Sequence, residues 1–459
     1  MFKKSFFYSI EGLSPKLISV ILLPILLRLI NPVLWAEITI LLAIQLFISY
    51  FLTQGDENSI LKFTADENLL AQTCLSLLKY SSIALIFFEV LALLVDKFPF
   101  SIIYGLPFRF MFLSTVIISL NKLFLSKLKS LGKAKEVFKS TIFESIFVNL
   151  VQLITIAFTV QIDGYNTRVV VTFYFLVQFI GNLLKLAYLV KKVDFKISTF
   201  SKNLFSKKPK TFLSFSNTSF FLLLTSYFLN WQDKFFVENI FGLNSLGIYS
   251  VASRIGNLGM VFIVAILVSA NAKYWPKEIT EEVDHSVFKI TRDILTISLY
   301  AFAALSLLAT TVGKYVIPKS YHNSVELIHF ASLLIFLHTI VLIFTIDFGR
   351  LNIIRKVVFY NATVFISQIF IYMNYAFSSL EEIYFIQIFT LFVFIPLYFY
   401  KTIRQYKSVL FFSFLTFLFV VTSISTYLST EYQVLQILLF LTGCLMAFLC
   451  FRKWLVLDS

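Results

Sequence analysis

Apolar runs, each about as long as a membrane is thick, recur along the whole chain and are separated by short polar connections. A helix needs about 20 apolar residues to cross about 30 Å of hydrocarbon, so each run predicts one transmembrane helix. The predicted spans are 15–32, 36–54, 80–96, 101–121, 142–161, 169–190, 212–233, 244–270, 293–312, 325–347, 357–376, 380–400, 408–428 and 433–451. The pattern therefore predicts an all-α polytopic membrane protein with about 14 transmembrane helices. The second span and the junction at 233–244 allow a different division of the chain.

Basic residues are distributed unevenly over the predicted connections. With the N-terminus in the cytoplasm, the cytoplasmic connections and tails hold 29 Lys and Arg residues, and the opposite side holds 4. Cytoplasmic loops collect Lys and Arg, so both termini are predicted to be cytoplasmic. The chain has only 14% charged and 58% hydrophobic residues, so its net charge of +14 records membrane orientation and predicts no nucleic-acid partner.

The predicted spans group into four parts. Residues 1–190 form an N-terminal six-helix half, 191–210 a basic cytoplasmic linker, 211–402 a C-terminal six-helix half, and 403–459 two additional transmembrane helices. The linker has seven lysines and one acid and is predicted to be a solvated loop that sets the topology and touches anionic headgroups. Residues 55–79 are acidic and are predicted to form an interfacial helix.

Ionisable residues within the predicted spans are the candidate functional residues. A charge at membrane depth is costly, so it faces a bundle interior or a water-filled cavity rather than lipid. The candidate substrate-binding cations are Arg28, Arg109, Lys185 and Arg254. The candidate coupling or ion-pair residues are Asp233, Lys234, Glu238, Glu89 and Glu144. Structural alternatives stay open, because long cations near span ends can reach headgroups and opposite charges can pair locally.

Arg254 belongs to a polar island, residues 230–254, that interrupts the apolar pattern near the middle of the chain. Its small or polar neighbours Ser253 and Gly256 leave room for a ligand beside the guanidinium. A cation at that depth needs a counter-charge, and we expect the resting partner to be Asp233 or Glu238.

The sequence predicts neither catalysis nor a cofactor. Cys74, Cys444 and Cys450 form no spaced pair, and four scattered histidines complete no metal-binding pattern. There is also no nucleophile triad and no Gly-rich loop that could cradle a phosphate.

Several segments resemble one family of membrane transporters. The most specific is Leu246–Arg254, which reads Leu-Gly-Ile-Tyr-Ser-Val-Ala-Ser-Arg. Weaker similarities are Pro24–Pro32, Gly55–Lys62, Ala272–Pro276, and Gly349–Lys356 followed by Asn361. Together these segments resemble the Wzx-type O-antigen flippases of the multidrug/oligosaccharidyl-lipid/polysaccharide exporter superfamily, over most of residues 1–400. Asn31 and Ala36 stand where the family usually has Gly, which leaves the tightness of the first turn open.

The resemblance implies a transporter in the bacterial inner membrane. It would move an undecaprenyl-diphosphate-linked oligosaccharide, a repeat unit of O-antigen or a related surface polysaccharide, from the cytoplasmic to the periplasmic leaflet by alternating access. It also implies two halves around a central cavity, as in transporters built from repeats. Membrane lipids, and a polymerase and chain-length regulator of the same pathway, are the implied partners. Arginine and lysine in the cavity would suit the diphosphate.

Two other functions stay open at this point. A membrane-embedded polysaccharide polymerase or glycosyltransferase normally needs a sizeable external loop, whereas the longest outside connection predicted here is residues 313–324. A small-molecule exporter of the same superfamily would favour buried acids, because a cationic substrate needs an anion.

Overall fold

A computed structural model describes residues 18–19, 21–63, 67–94, 105–162, 166–195, 208–257, 313, 315–344 and 351–405. These residues are helical apart from short turns, and they contain no β-strand. The helices, numbered in chain order, are 21–29 (α1), Pro32–Thr53 (α2), Asp56–Phe63 (α3), Glu67–Leu94 (α4), Leu106–Ser130 (α5), Ala134–Ile162 (α6), Thr167–Val193 (α7), Lys210–Gly256 (α8), Asn323–Phe344 (α9), Leu351–Asn374 (α10) and Leu380–Gln405 (α11).

Within the described residues, seven helices are long and apolar enough to cross a membrane. They are α2, α4, α5, α6, α7, α8 and α10. The prediction of an all-α polytopic membrane protein is therefore confirmed. The total of fourteen spans stays a prediction, because 293–312, 408–428 and 433–451 lie outside the described residues.

Two helices differ from the predicted spans in ways that affect the candidate site. The span predicted at 101–121 overlaps α5, which begins at Leu106 and continues to Ser130, so Lys122 lies inside a helix rather than in a connection. α8 continues from the span predicted at 212–233 into the next one. Its backbone leaves helical geometry at Gly242, where φ is 81° and ψ is 174°, a conformation that glycine tolerates and other residues avoid. The break therefore falls inside the junction predicted at 233–244.

The first turn, left open by the sequence, is closed by an asparagine cap. The backbone of Asn31 is extended, and its Oδ1 accepts a hydrogen bond of 2.8 Å from the backbone N–H of Leu34. Pro32 follows at the first helical position, where its fixed φ suits a helix and its missing N–H costs nothing. Asn31 thus starts α2 without the glycine of the family pattern.

A tight turn connects α2 to α3. Gly55 has a φ of +74°, and a Cβ on it would lie 2.4 Å from the carbonyl oxygen of Ser216 at the start of α8. Only glycine allows this close approach of two backbones. The interfacial helix predicted over 55–79 is instead two helices, because α3 ends at Phe63 and α4 begins at Glu67 and continues into the predicted span.

An ion pair holds the same turn. Lys208 Nζ lies 2.5 Å from Asp56 Oδ2, and Ser216 Oγ lies 2.7 Å from Asp56 Oδ1. Asp56 and Lys208 each follow a predicted span whose end is assigned to the cytoplasmic side by the count of basic residues. Their direct contact agrees with that assignment.

The chain divides into two compact units, with the boundary inside α8. Residues 21–231 form the first unit, in which α5 packs against α2, α3, α4, α6 and α7. Residues 1–20 and 232–459 form the second unit, in which α9 and α10 each pack against α11. The predicted halves, 1–190 and 211–402, stay a prediction.

Candidate functional site

The first unit carries a lysine well inside an apolar helix. Lys122 lies eight residues before the end of α5 at Ser130, which is about 12 Å along the helix axis. It shares a helix face with Thr115 and Ser119, since residues three or four apart lie on the same side of a helix. Both of these side chains are buried, so this face of α5 points into the unit.

α2 presents a polar stripe within the same unit. Gln45, Ser49 and Thr53 follow one another at intervals of four residues, and all three are buried. The side-chain amides of Gln45 and Gln178 of α7 lie 3.2 Å apart. Polar side chains in a membrane helix turn away from lipid, so the stripe marks the interior of the unit.

Lys122 meets this stripe directly. Its ammonium donates a hydrogen bond of 2.9 Å to Ser49 Oγ, which lies 3.1 Å from Ser119 Oγ. The Lys122 Nζ also lies 5.0 Å from the centroid of the Tyr50 ring, within the range of a cation–π interaction. We refer to Ser49, Tyr50, Glu57, Ser119 and Lys122 as the Lys122 cluster.

Glu57, in the first turn of α3, is the acid of this cluster. It interacts electrostatically with Lys122. Its Oε2 oxygen is shielded from solvent and has no hydrogen-bond partner among the described residues. Burial raises the pKa of Glu57, and Asp56 raises it further, whereas Lys122 lowers it. The cluster thus contains a lysine that is hydrogen-bonded to Ser49 and, within its electrostatic range, a carboxyl group whose neutral form is favoured by burial.

Aromatic side chains continue from the cluster along α2 and α8. Tyr50 and Tyr227 pack edge to face with their ring centroids 6.4 Å apart, and Tyr227 stacks on Trp231 with 6.3 Å between centroids. Phe47 packs against Tyr227 at 5.2 Å. We call Phe47, Tyr50, Tyr227 and Trp231 the aromatic row. Ring faces beside a cation and polar groups can contact the apolar faces of a sugar while the cation contacts a phosphate.

The second unit contains a separate polar centre around Asp233. This carboxylate is 4% exposed, and its Oδ2 accepts a hydrogen bond of 2.6 Å from the Tyr249 hydroxyl. Lys234 Nζ lies 3.4 Å from Oδ1. A buried carboxylate is stable when it is paired and hydrogen-bonded in this way. Both oxygens of Asp233 are therefore engaged within its own unit.

Tyr249 extends the Asp233 centre to α11. Its ring stacks on Tyr384 with 4.4 Å between centroids, and the Tyr384 and Ser253 hydroxyls lie 2.6 Å apart. A second chain of contacts joins α8, α10 and α11: Gln232 donates to Gln368, which donates to Thr390 Oγ1 over 2.7 Å. These polar contacts specify how the three helices pack.

The predicted cations are placed in different surroundings. Arg28 and Arg109 are exposed on α1 and α5, where a long side chain can reach headgroups. Lys185 is buried and pairs with Glu144, with 2.7 Å between Lys185 Nζ and Glu144 Oε2. Arg254 is half-buried and donates a hydrogen bond to Ser19 Oγ. Arg28, Arg109 and Lys185 belong to the first unit and Arg254 to the second, so a cavity shared by the four cations stays a prediction.

The predicted acidic residues also lie in different surroundings. Asp233 lies beside Lys234, whereas Glu238 is half-buried one turn further along α8. Asp233 contacts Tyr249 and Lys234, and the expected pairing of Arg254 with Asp233 or Glu238 stays a prediction. Glu89 belongs to α4, and its side chain lies outside the described ones.

The sequence-based reasoning missed Lys122, Glu57 and the aromatic row. The four-residue spacing of Gln45, Ser49 and Thr53 was a usable signal, because it marks one polar face of an apolar helix. Lys122 was overlooked because polar residues from Asn121 onward suggested the end of the span. Among the described residues, no group of three or more His, Cys, Asp or Glu side chains could hold a metal ion.

The fold is that of a multi-pass membrane transporter. Three solved structures are similar to it over most of the chain. A crystal structure of MATE in complex with MaL6 is 14% identical, covers 89% of this chain and 97% of that chain, and has a TM-score of 0.63. A MOP superfamily transporter from Pyrococcus furiosus is 14% identical, covers 89% and 96%, and has a TM-score of 0.60. An outward-facing multidrug resistance MATE family transporter of the MOP superfamily is 13% identical, covers 94% and 97%, and has a TM-score of 0.56.

The protein family of this chain is identified by sequence comparison. The polysaccharide biosynthesis protein family matches residues 1–271, which is more than half of the chain, and the chain belongs to this family. A search of curated proteins finds no match. The resemblance noted in the sequence is therefore confirmed at the level of family and fold.

Proposed function

We propose that the protein is a flippase that moves a polyprenyl-diphosphate-linked oligosaccharide across the bacterial inner membrane, from the cytoplasmic to the periplasmic leaflet. The observation that carries this proposal is the Lys122 cluster beside the aromatic row. A lysine inside a membrane helix is costly and is retained where it serves a substrate or ion pathway. In a family of polysaccharide biosynthesis, a cation next to sugar-sized aromatic surfaces fits a lipid-linked sugar diphosphate.

The depth of the cluster agrees with loading from the cytoplasm. Ser49 lies one turn before the end of α2 at Thr53, and Lys122 lies about 12 Å before the end of α5. The distribution of basic residues assigns both helix ends to the cytoplasmic side. Lys122 therefore lies toward the predicted cytoplasmic end of α5, where a diphosphate could reach it while the polyprenyl tail of the substrate remains in lipid.

The chemistry divides between the two parts of the site. The Lys122 ammonium is a compact charge with three donors, and it can bind one phosphate as a point charge. Tyr50 and Trp231, which are half-buried, offer ring faces and polar ring edges to the sugars, and the buried Tyr227 packs between them. The remaining proposed partners are membrane lipids and the polymerase and chain-length regulator that would act on the translocated repeat unit.

The test is a complementation experiment in the native host. Deletion of the gene should abolish the surface polysaccharide and leave lipid-linked repeat units in the cytoplasmic leaflet, and the wild-type gene should restore the polysaccharide. Lys122→Met should restore less than about a tenth of it at equal protein level, because loss of a charged hydrogen bond costs about 1.5–3 kcal/mol. Lys210→Met, at an exposed lysine, is the matched control and should restore it fully. Normal polysaccharide with Lys122→Met would reject the site.

A second candidate function is the export of a small organic cation. Asp233 favours it, because such a substrate needs a buried acid and Asp233 is 4% exposed. The Tyr249 hydroxyl and the Lys234 ammonium already engage both oxygens of that acid, which argues against it. Increased sensitivity of the deletion strain to ethidium, with normal surface polysaccharide, would favour the exporter over the flippase.

A further inference from the structure

The last turn of α3 carries a lysine that contacts aromatic rings. Lys62 Nζ lies 4.3 Å from the centroid of the Phe215 ring and 5.9 Å from that of the Phe63 ring. Both distances are within the range of a cation–π interaction. Phe63 packs edge to face on Phe215 with 5.9 Å between centroids, and its centroid lies 6.1 Å from that of Phe212. We refer to Lys62, Phe63, Phe212 and Phe215 as the Lys62 site.

The charge of Lys62 has no counter-charge in the described part of the chain. The residue is half-buried, and its ammonium forms no hydrogen bond and no ion pair within the described residues. Burial lowers the pKa of Lys62, because the loss of water disfavours the charged form. The rings attract the ammonium but carry no net negative charge and accept none of its N–H groups as an oxygen would. An anion bound at Lys62 would therefore complete its contacts.

A neighbouring lysine shows the contrast. Lys208 Nζ lies 5.8 Å from the centroid of the Phe212 ring, but it also lies 2.5 Å from Asp56 Oδ2. The charge of Lys208 is balanced by that carboxylate, so one positive charge, that of Lys62, stays uncompensated beside the rings. A phosphodiester carries one negative charge and matches it, whereas a diphosphate carries more than one.

The Lys62 site lies outside the predicted spans. α3 follows the span predicted at 36–54, on the side that the basic residues assign to the cytoplasm. Ser59 Oγ lies 3.5 Å from the Phe212 carbonyl oxygen, and Gly55 packs against the Ser216 carbonyl, so α3 is fixed against the start of α8. Phe63 is 41% exposed. A lysine beside an exposed ring on a short helix at the membrane surface suits the boundary between headgroups and acyl chains.

We propose that the Lys62 site binds an anionic phospholipid of the cytoplasmic leaflet, with the lipid phosphate on the Lys62 ammonium and the first acyl carbons on the exposed Phe63 ring. The phosphate supplies the missing counter-charge and accepts the N–H groups that the rings leave without an oxygen. Basic sites on the cytoplasmic side of membrane proteins bind acidic headgroups in this way. The Lys62 site shares no residue with the Lys122 cluster, so the inference goes beyond the proposed function and does not depend on it.

The experiment compares the binding of dioleoylphosphatidylglycerol and dioleoylphosphatidylcholine to the full-length protein in detergent, measured by native mass spectrometry. The wild type should bind the anionic lipid more tightly than the zwitterionic one. Lys62→Gln should lower the affinity for phosphatidylglycerol by about tenfold or more, because a hydrogen bond to a charged group is lost. Lys62→Arg should keep most of the affinity, since the guanidinium keeps the charge and can bind phosphate.

A matched control separates the site from a general effect of charge. Lys135→Gln removes an exposed lysine from the first turn of α6, also on the predicted cytoplasmic side, and should keep the wild-type affinity. Dioleoylglycerol, which lacks the phosphate, should not compete with phosphatidylglycerol. A second measurement needs no variant: phosphatidylglycerol should slow the acetylation of Lys62 by acetic anhydride in the wild type and leave that of Lys135 unchanged.

Four results would overturn the proposal or part of it. Equal affinity of wild type and Lys62→Gln for phosphatidylglycerol, or an equal loss in Lys135→Gln, would overturn the site. Acetylation of Lys62 at the same rate with either lipid would do the same. Displacement of the lipid by inorganic phosphate at equal concentration would overturn the assignment to a lipid. Displacement by a lower concentration of farnesyl diphosphate would overturn the choice of a phospholipid and favour the substrate headgroup.

Discussion

Removal of the Lys208 ammonium should destabilise the first unit in a strongly pH-dependent way. Asp56 is 5% exposed and lies 2.5 Å from Lys208 Nζ, so Lys208→Met would leave a buried carboxylate with Ser216 as its remaining described partner. Breaking a buried pair by removing one partner costs about 3–5 kcal/mol. We expect this loss in the free energy of unfolding at pH 8, measured by unfolding in mixed micelles.

The sign of the pH dependence follows from the pKa of Asp56. Burial already raises it in the wild type, against the lowering effects of Lys208 and Ser216, and removal of Lys208 would raise it further. A group with a raised pKa in the folded state contributes stability below its unfolded pKa of about 4 and loses it as the pH rises through the folded pKa. The stability of Lys208→Met should therefore fall more steeply with rising pH than that of the wild type. As the pH is lowered, the deficit should shrink toward about 1 kcal/mol, the value of a lost hydrogen bond.

Two variants test this reasoning. Asp56→Asn combined with Lys208→Met removes both charges and should recover most of the stability lost at pH 8. Lys210→Met, at an exposed lysine two positions further along, should change the free energy of unfolding by less than about 0.5 kcal/mol. A deficit in Lys208→Met that is the same at every pH would refute the argument from a buried carboxylate.

Two further predictions concern the second unit and the membrane topology. Tyr249→Phe removes the hydroxyl that donates to buried Asp233 and should cost about 1–3 kcal/mol in the free energy of unfolding. The control Tyr375→Phe, at an exposed tyrosine, should cost little. Equal effects of the two variants would mean that the hydrogen bond to Asp233 contributes nothing. Reporter fusions at Lys207 and Ser320 should report the cytoplasm and the opposite side respectively, and reports from the same side would contradict the predicted topology.

Helix positions were predictable where length and hydrophobicity decide them. The spans predicted at 142–161 and 169–190 lie inside α6 and α7, because an uninterrupted apolar run has one low-energy state in a membrane, a helix that satisfies its own backbone. Helix ends were harder to predict. α5 continues to Ser130 because its polar face is covered by α2, α3 and α7 within the unit, a contact that no local pattern shows.

The candidate site could be predicted only in part, for a related reason. A charged residue at membrane depth is expected to have a partner, but the sequence does not identify that partner. Lys185 pairs with Glu144 on α6, so the charge of Lys185 is balanced within the first unit. Lys122 contacts Ser49 and the Tyr50 ring, which are more than 70 positions away in the chain. Such pairings depend on helix packing across the unit, so they follow from the fold and not from spacing along the sequence.

Each unit contains a buried polar centre with a lysine and an acid, and the contacts of the two acids differ. Asp233 is engaged by Lys234 and by the Tyr249 hydroxyl, so a change of its charge would break contacts that hold α8 and α11 together. Glu57 Oε2, in contrast, is shielded from solvent and has no hydrogen-bond partner among the described residues. A buried carboxylate whose two oxygens are both engaged stabilises the packing of the helices that hold its partners. We therefore assign a structural role to the Asp233 centre, whereas the Lys122 cluster stays the proposed substrate site.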